Sequence, residues 1–168
     1  MTISMYAASV PVFTQMLNSL TDLLDKAETH ANDKKIDPNA LLQSRLFPDM
    51  FALTRQVLIA ADFAKGCCAR LAGVDVPKYD DTEQTFAELK TRIAKTLAFI
   101  GSLPAVQIDG SEERDITTSS GPNSKSFKGQ TYLLHYALPQ FFFHVTTAYA
   151  ILRHNGVEVG KRDFMGKY

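Results

Sequence analysis

The segment Leu138-Pro139-Gln140-Phe141-Phe142-Phe143-His144, continuing to Leu152 and Gly156, limits most tightly how this chain folds. Phe141, Phe142, Phe143, Val145, Ala148, Tyr149, Ile151 and Leu152 spread around the circumference of a helix instead of forming one stripe. A helix that is apolar on every side has to be surrounded by other elements. It carries one imidazole, His144. Proline fits a first helical turn and glycine a helix end, so the helix is predicted from near Pro139 to just before Gly156. Beyond it, Gly160-Lys161-Arg162-Asp163-Phe164 reads as a basic turn.

Three other amphipathic segments supply the surroundings. Val10, Phe13, Leu17, Leu20, Leu24 and Ala27 recur at spacings of three and four, which predicts a helix over about Val10 to His30. Asn32 to Asn39 reads as a polar connection. A second helix is predicted from near Pro48 to Ala72, stopped by Gly73, with Phe51, Leu58, Ala61, Cys68 and Leu71 on its inner face. The third begins near Asp81-Thr82, with Thr82, Thr85 and Glu83 as the cap signals. Its stripe is Phe86, Leu89, Ile93, Leu97 and Ile100, and Gly101 and Pro104 stop it.

From Val106 to Lys128 the helical period disappears. Arg114 to Thr118 and Lys125 to Lys128 read as two short strands around turn chemistry at Ser119-Ser120-Gly121-Pro122-Asn123. A lone hairpin is marginal, so it has to pack on the helices or on another subunit. Gln130 to Tyr136 adds a short helical turn. The expected fold is all-α: one domain, residues 1–168, a four-helix bundle with a short β-hairpin between helices 3 and 4.

Charge excludes one class of function. Lys+Arg and Asp+Glu are 18 each, a formal net charge of zero. No broad positive field exists to attract phosphate backbones, so no nucleic-acid partner is expected. No apolar run reaches a membrane-spanning length of about 18 residues, so no membrane partner is expected either. Met1 to Met5 has neither a basic n-region nor a small-residue cleavage site and does not read as a signal peptide. Adjacent Cys67 and Cys68 point about 100° apart in a helix and read as buried hydrophobes suited to a reducing cytoplasm.

Several blocks carry a family resemblance. They are Leu46-Phe47-Pro48-Asp49-Met50-Phe51, the helix around Gln56 to Ala64, Leu71-Ala72-Gly73-Val74, and above all Leu138 through His144 to Phe164. These resemble an uncharacterised bacterial family, domain of unknown function nineteen-ninety-three, within the DinB/YfiT-like superfamily of four-helix bundles. The resemblance covers nearly the whole chain. It implies a divalent metal held by three histidines, one on the second helix and two a turn apart on the fourth, used in some relatives for thiol-dependent transfer. Here His144 resembles the second of the fourth-helix histidines. Gln140 stands one turn before it, and the second helix contains no histidine.

Of the other histidines, His135 precedes Pro139 and reads as part of a different element, and His30, at the end of the first helix, could approach only through tertiary folding. His144 and His154 are ten residues apart, about 15 Å along one helix, and cannot share an ion. Gln56, Gln140 and His144 would make a weak set, because amides bind zinc poorly, and Asp49 or Asp62 would have to complete it. The expectation is therefore no metal and no cofactor. Arg153, His154, Lys161 and Arg162 read as complements to a helix C-terminus. Arg45, Asp49 and Arg55 read as a structural ion-pair group. The function reading is a cytoplasmic bundle lacking the metal triad. It binds a small molecule or protein partner in a pocket near His144, with Gln140, Gln56 and Tyr149 as ligand-binding residues. The alternative is a metal-dependent, thiol-dependent transferase with a substituted ligand set. A homodimer is expected, since bundles of this superfamily pair through helix faces and zero net charge offers little repulsion.

Overall fold

The computed structural model describes residues 3–120 and 123–168. In chain order the elements are α1 (Val10–Lys34), α2 (Pro38–Leu42), α3 (Leu53–Ala72), α4 (Phe86–Gly101), α5 (Ala105–Ile108), β1 (Asp115–Ser120) and β2 (Asn123–Lys128). Then follow α6 (Gly129–Thr131), a π-helical stretch (Tyr132–Ala137), α7 (Leu138–His154) and α8 (Lys161–Met165). The bundle consists of α1, α3, α4 and the final long helix. Helix α3 packs most extensively on α7 and next on α4, and α1 closes the ring against α4. All six residues of the expected α1 stripe are buried, as are Leu58, Ala61, Cys68 and Leu71 of α3 and Phe86, Leu89, Ile93 and Ile100 of α4.

Four local expectations are corrected. The connection after α1 is not wholly polar: Asp37 caps the short helix α2 by accepting from the Asn39 N–H at 3.0 Å, which lets Leu41 and Leu42 reach the core. Helix α3 starts at Leu53, five residues after Pro48. Pro48 instead lies in a turn in which the Met50 N–H donates to the Phe47 carbonyl at 3.0 Å. Phe51 is then outside the helix and exposed, not on its inner face. Helix α4 is capped one turn later than expected. The Thr85 hydroxyl accepts from the Glu88 N–H at 3.2 Å while the Glu88 carboxylate accepts from the Thr85 N–H at 2.9 Å.

The fourth correction concerns Pro139. It sits in the first turn of α7, as expected, but the helical run does not begin there and continues unbroken from Gly129 to His154. A proline inside a helix lacks an N–H and its ring presses on the carbonyl four residues earlier. The π stretch Tyr132–Ala137 ends just before Leu138-Pro139 and widens the turn at that point. The helix stops at Gly156, whose φ of 84° favours glycine, with the Val157 N–H donating to the Leu152 carbonyl at 3.1 Å. Nor is α7 enclosed on all sides, because Phe143 is exposed.

The hairpin pairs antiparallel from Asp115↔Lys128 to Ser120↔Asn123, longer than expected from the sequence. Gly121 and Pro122 of the expected turn lie outside the described residues. Ile116 is buried, and Phe127 packs on Tyr132 and Tyr136 at centroid distances of 5.9 and 5.1 Å, so the sheet leans on the π stretch. The basic turn after α7 is the helical turn α8. It is tied to α1 by the Ser19 hydroxyl at the Asp163 and Phe164 carbonyls and by Lys26 on Asp163 at 2.7 Å. Among the described residues no helix is long and apolar enough to cross a membrane.

Candidate functional site

Helices α3 and α7 bring Gln56 and His144 together. The His144 Nδ1 lies 2.7 Å from the Gln56 Oε1, and both residues are buried. The direction of this bond follows from its outer end. The Gln56 Nε2 donates to the Phe51 carbonyl at 3.1 Å, and a carbonyl only accepts. The other end of the amide is therefore its oxygen, which also only accepts, so Nδ1 carries the proton. The neutral ring then keeps its lone pair on Nε2. Among the described residues, Nε2 has no hydrogen-bond partner.

Aromatic rings hold the imidazole on two sides. Phe63 stacks on it with centroids 6.0 Å apart and planes 18° apart. Phe143 presents an edge at 5.2 Å and 87°. Tyr136 touches Phe63 at 5.9 Å, and the Lys125 Nζ lies 5.4 Å from the Tyr136 ring. The corner thus joins α3, α7, the π stretch and the hairpin. Burial lowers the His144 pKa, and the Arg55 charge lowers it further, to about 4. His144 is neutral near pH 7, and a base that weak accepts hydrogen bonds far better than it takes protons. Only 7% of the residue is exposed.

Gln140, one turn before His144 on α7, is half-buried. Tyr149 is placed elsewhere: it packs edge-on against Phe164 of α8, with centroids 5.6 Å apart. Phe63 and Tyr136 went unnoticed in the sequence. The signal for Phe63 was its position seven residues, or two turns, after Gln56 on one helix face.

A second polar cluster joins α3 to α4 and to the loop between them. Arg92 is almost fully buried and donates to Asp62 at 3.1 Å, to Asp81 and Glu83 at 3.0 Å, and to the Asp80 carbonyl at 3.0 Å. Burial opposes its charge, and Asp62 and Glu83 outweigh that, so its pKa stands above the ordinary value. Lys65 adds a 2.7 Å bond to Asp62. Arg55 pairs with Asp81 and not with Asp49, which corrects the ion-pair group expected from the sequence.

A depression of about 680 Å³ lies away from His144, lined by the charged end of α1, including His30 and Asp33, and by Gly156 to Glu158. An apolar one of about 450 Å³ runs along α7 beside Phe142, Phe143 and Thr147.

Comparison with known proteins shows the lineage. Residues 5–165 match the family model described as a domain of unknown function, DUF1993. The chain belongs to the DUF1993 family. A crystal structure of a DinB family member protein from Shewanella denitrificans shares 43% sequence identity. It superposes with a TM-score of 0.88, over 97% of this chain and 92% of that one. No curated protein matches the sequence.

For this DUF1993 chain, the three-histidine metal site implied by the superfamily can be tested against the side chains in place. His144 offers one imidazole, Gln140 an amide, and Gln56 an amide whose oxygen is already bonded to His144. Asp62 is held by Lys65 and Arg92, and Asp49 stands on the exposed loop before α3. Among the described residues no group of three or more His, Cys, Asp or Glu side chains is placed to hold a metal ion. One imidazole and two amides do not fit a site that needs three good ligands.

Proposed function

We propose that this DUF1993 protein is a binding module of the reducing cytoplasm that works without a resident metal and recognises a small neutral molecule bearing a hydrogen-bond donor. The observation that carries this reading is the 2.7 Å bond from His144 Nδ1 to Gln56. It fixes the tautomer, so Nε2 offers a lone pair to an incoming O–H or N–H. A pKa of about 4 argues against a general base and for an acceptor. Phe63, Phe143 and Tyr136 supply apolar walls, and Gln140, one turn before His144 on the same helix, would add an amide contact. The two free, buried thiols suit a reducing compartment. The protein is proposed to work as a homodimer.

The test is nitrogen-15 NMR of the histidine side chains in the full chain, with phenol as the probe, beside elemental analysis of protein made without a histidine tag. Phenol should shift the His144 Nε2 signal while the Nδ1 proton persists. Dialysed protein should hold less than about one metal ion per ten chains, and zinc or nickel should add little thermal stability. Stoichiometric metal that disappears in His144→Ala would overturn the reading in favour of a metal-dependent transferase.

A further inference from the structure

The Arg92 cluster holds two polar atoms that the fold leaves unused. Arg92 is 3% exposed, and its Nε–H finds no hydrogen-bond acceptor among the described residues. Glu83, whose side chain is 13% exposed, accepts from Arg92 through Oε1 at 3.0 Å, while its Oε2 is buried without a donor among the described residues. Both residues line a depression of about 410 Å³ at the loop between α3 and α4, with Lys78, Tyr79, Asp80 and Lys95 among others. Tyr79 stands among cations. The Nζ atoms of Lys65 and Lys95 each lie 4.0 Å from its ring centre, and the Arg92 Cζ lies 5.0 Å from it.

We propose that this depression binds a small zwitterion of the class of free α-amino acids, its carboxylate on the Arg92 Nε–H and its ammonium on the Glu83 Oε2 and the Tyr79 ring. A buried polar group without a partner costs stability and is rare in native proteins unless something else completes it. Here the two orphans are of opposite polarity, one donor on a cation and one acceptor on an anion. The 3.0 Å bond between the guanidinium and the carboxylate keeps them on adjoining groups. A ligand that meets both carries an acceptor and a donor a few bonds apart. Charge-assisted bonds favour an ionised group at each end.

The rest of the lining selects the same class. A lone anion would meet the carboxylates of Glu83 and Asp80, and a lone cation would meet Arg92, Lys78 and Lys95. A zwitterion answers both signs at once. The face of an aromatic ring attracts ammonium groups, and Tyr79 already carries two of them. Lys65 is fixed there, because it is buried and bonded to Asp62 at 2.7 Å. Lys95 is exposed and pairs with no acid among the described residues, so its ammonium marks where a ligand ammonium would sit and its side chain is free to turn outward. Both orphan atoms are closed to solvent, and that turn is what admits the ligand.

The experiment is titration of the full chain with L-alanine, read at the arginine Nε–H signals by nitrogen-15 NMR, beside the variants Glu83→Gln and Tyr79→Leu. L-Alanine should shift the Arg92 Nε–H signal saturably. Glu83→Gln should weaken this binding about tenfold or more, the effect of one hydrogen bond to a charged group. Tyr79→Leu leaves every hydrogen bond of Arg92 in place and should weaken binding about threefold through the lost ring face. It also keeps the test open if Glu83→Gln does not fold. Acetate, methylamine and acetamide each supply part of the same chemistry and should shift the signal far less at the same concentration. A shift as large with any one of them would overturn the zwitterion. Binding unchanged in both variants would overturn the site. So would the lack of a saturable shift with L-alanine, which would leave the two atoms to a trapped water.

Discussion

Gln56 and Asp62 stand less than two turns apart on α3, and each anchors a buried polar centre of a different kind. Around Asp62, the Arg92 guanidinium is surrounded by three carboxylates and a carbonyl, and Lys65 and Arg55 balance the acids from outside. Around Gln56, a single amide bridges a backbone carbonyl to a neutral imidazole. The first centre keeps a charge in the interior by giving it opposite charges, because an unpaired one would be too costly. It ties the loop between α3 and α4 to both helices. The second centre avoids charge altogether, and that leaves one lone pair without a protein partner. The Arg92 charge is matched by its acids, although its Nε and the Glu83 Oε2 find no hydrogen-bond partner. An orphan acceptor held in a fixed orientation is what a ligand recognises.

The strongest way to break this comparison is to remove the guanidinium. Arg92→Ala should destabilise the protein by about 3 kcal/mol in urea denaturation, the low end of the range for breaking a buried pair, since Asp62 and Asp81 keep some contact with water. A loss no larger than that of an exposed ion pair would show that the two centres do not differ as described.

Acid gives the next effect. His144 has a pKa of about 4 in the fold and an ordinary value of 6.5, so the unfolded chain binds more protons between those limits. Stability from this group is complete above about pH 6.5, falls as the pH drops toward 4 and then levels off, a loss of about 1–3 kcal/mol. Denaturation midpoints across that window should fall in the wild type and stay flatter in His144→Gln. The Arg92 guanidinium itself adds nothing to this slope, because it stays charged throughout.

The smallest effect sharpens the contrast most. Gln56→Leu should cost about 1–2 kcal/mol by stranding the Nδ1–H. Gln56→Glu should convert the neutral centre into a charged one, raising the His144 pKa by about 1–3 units. Proton NMR titration of the imidazole would read this directly, and an unchanged pKa would remove Gln56 as the partner.

Much of this architecture is legible in particular residues. Val10, Phe13, Leu17, Leu20, Leu24 and Ala27 repeat with a helical period, and burial of one face is the only stable outcome for such a pattern. Pro48 misleads because the same φ suits a first helical turn and the second position of a β-turn. Thr85 and Glu88 carry the capping spacing, yet Thr82 with Glu83 competes for the same role one turn earlier. Helix α2 has only two buried residues, Leu41 and Leu42, to announce it, too few for a period. Pro139 reads as a helix start because its effect inside a helix depends on whether the preceding turn can widen, which local propensity does not encode.

The helical class, the order of the long elements, the family resemblance and the absence of histidine at position 140 and throughout Leu53–Ala72 can all be read from the chain of residues. These depend on residue identity and on spacings of three, four or seven, which act within a few turns of chain. It takes the packed fold to bring Gln56 to His144 across 88 residues, to lay Phe63 flat on the ring, and to turn Phe143 outward from a helix apolar on every side. The reason is physical. A side chain's tautomer, charge state and exposure are set by the groups packed around it, and those arrive from other helices at distances no local pattern specifies.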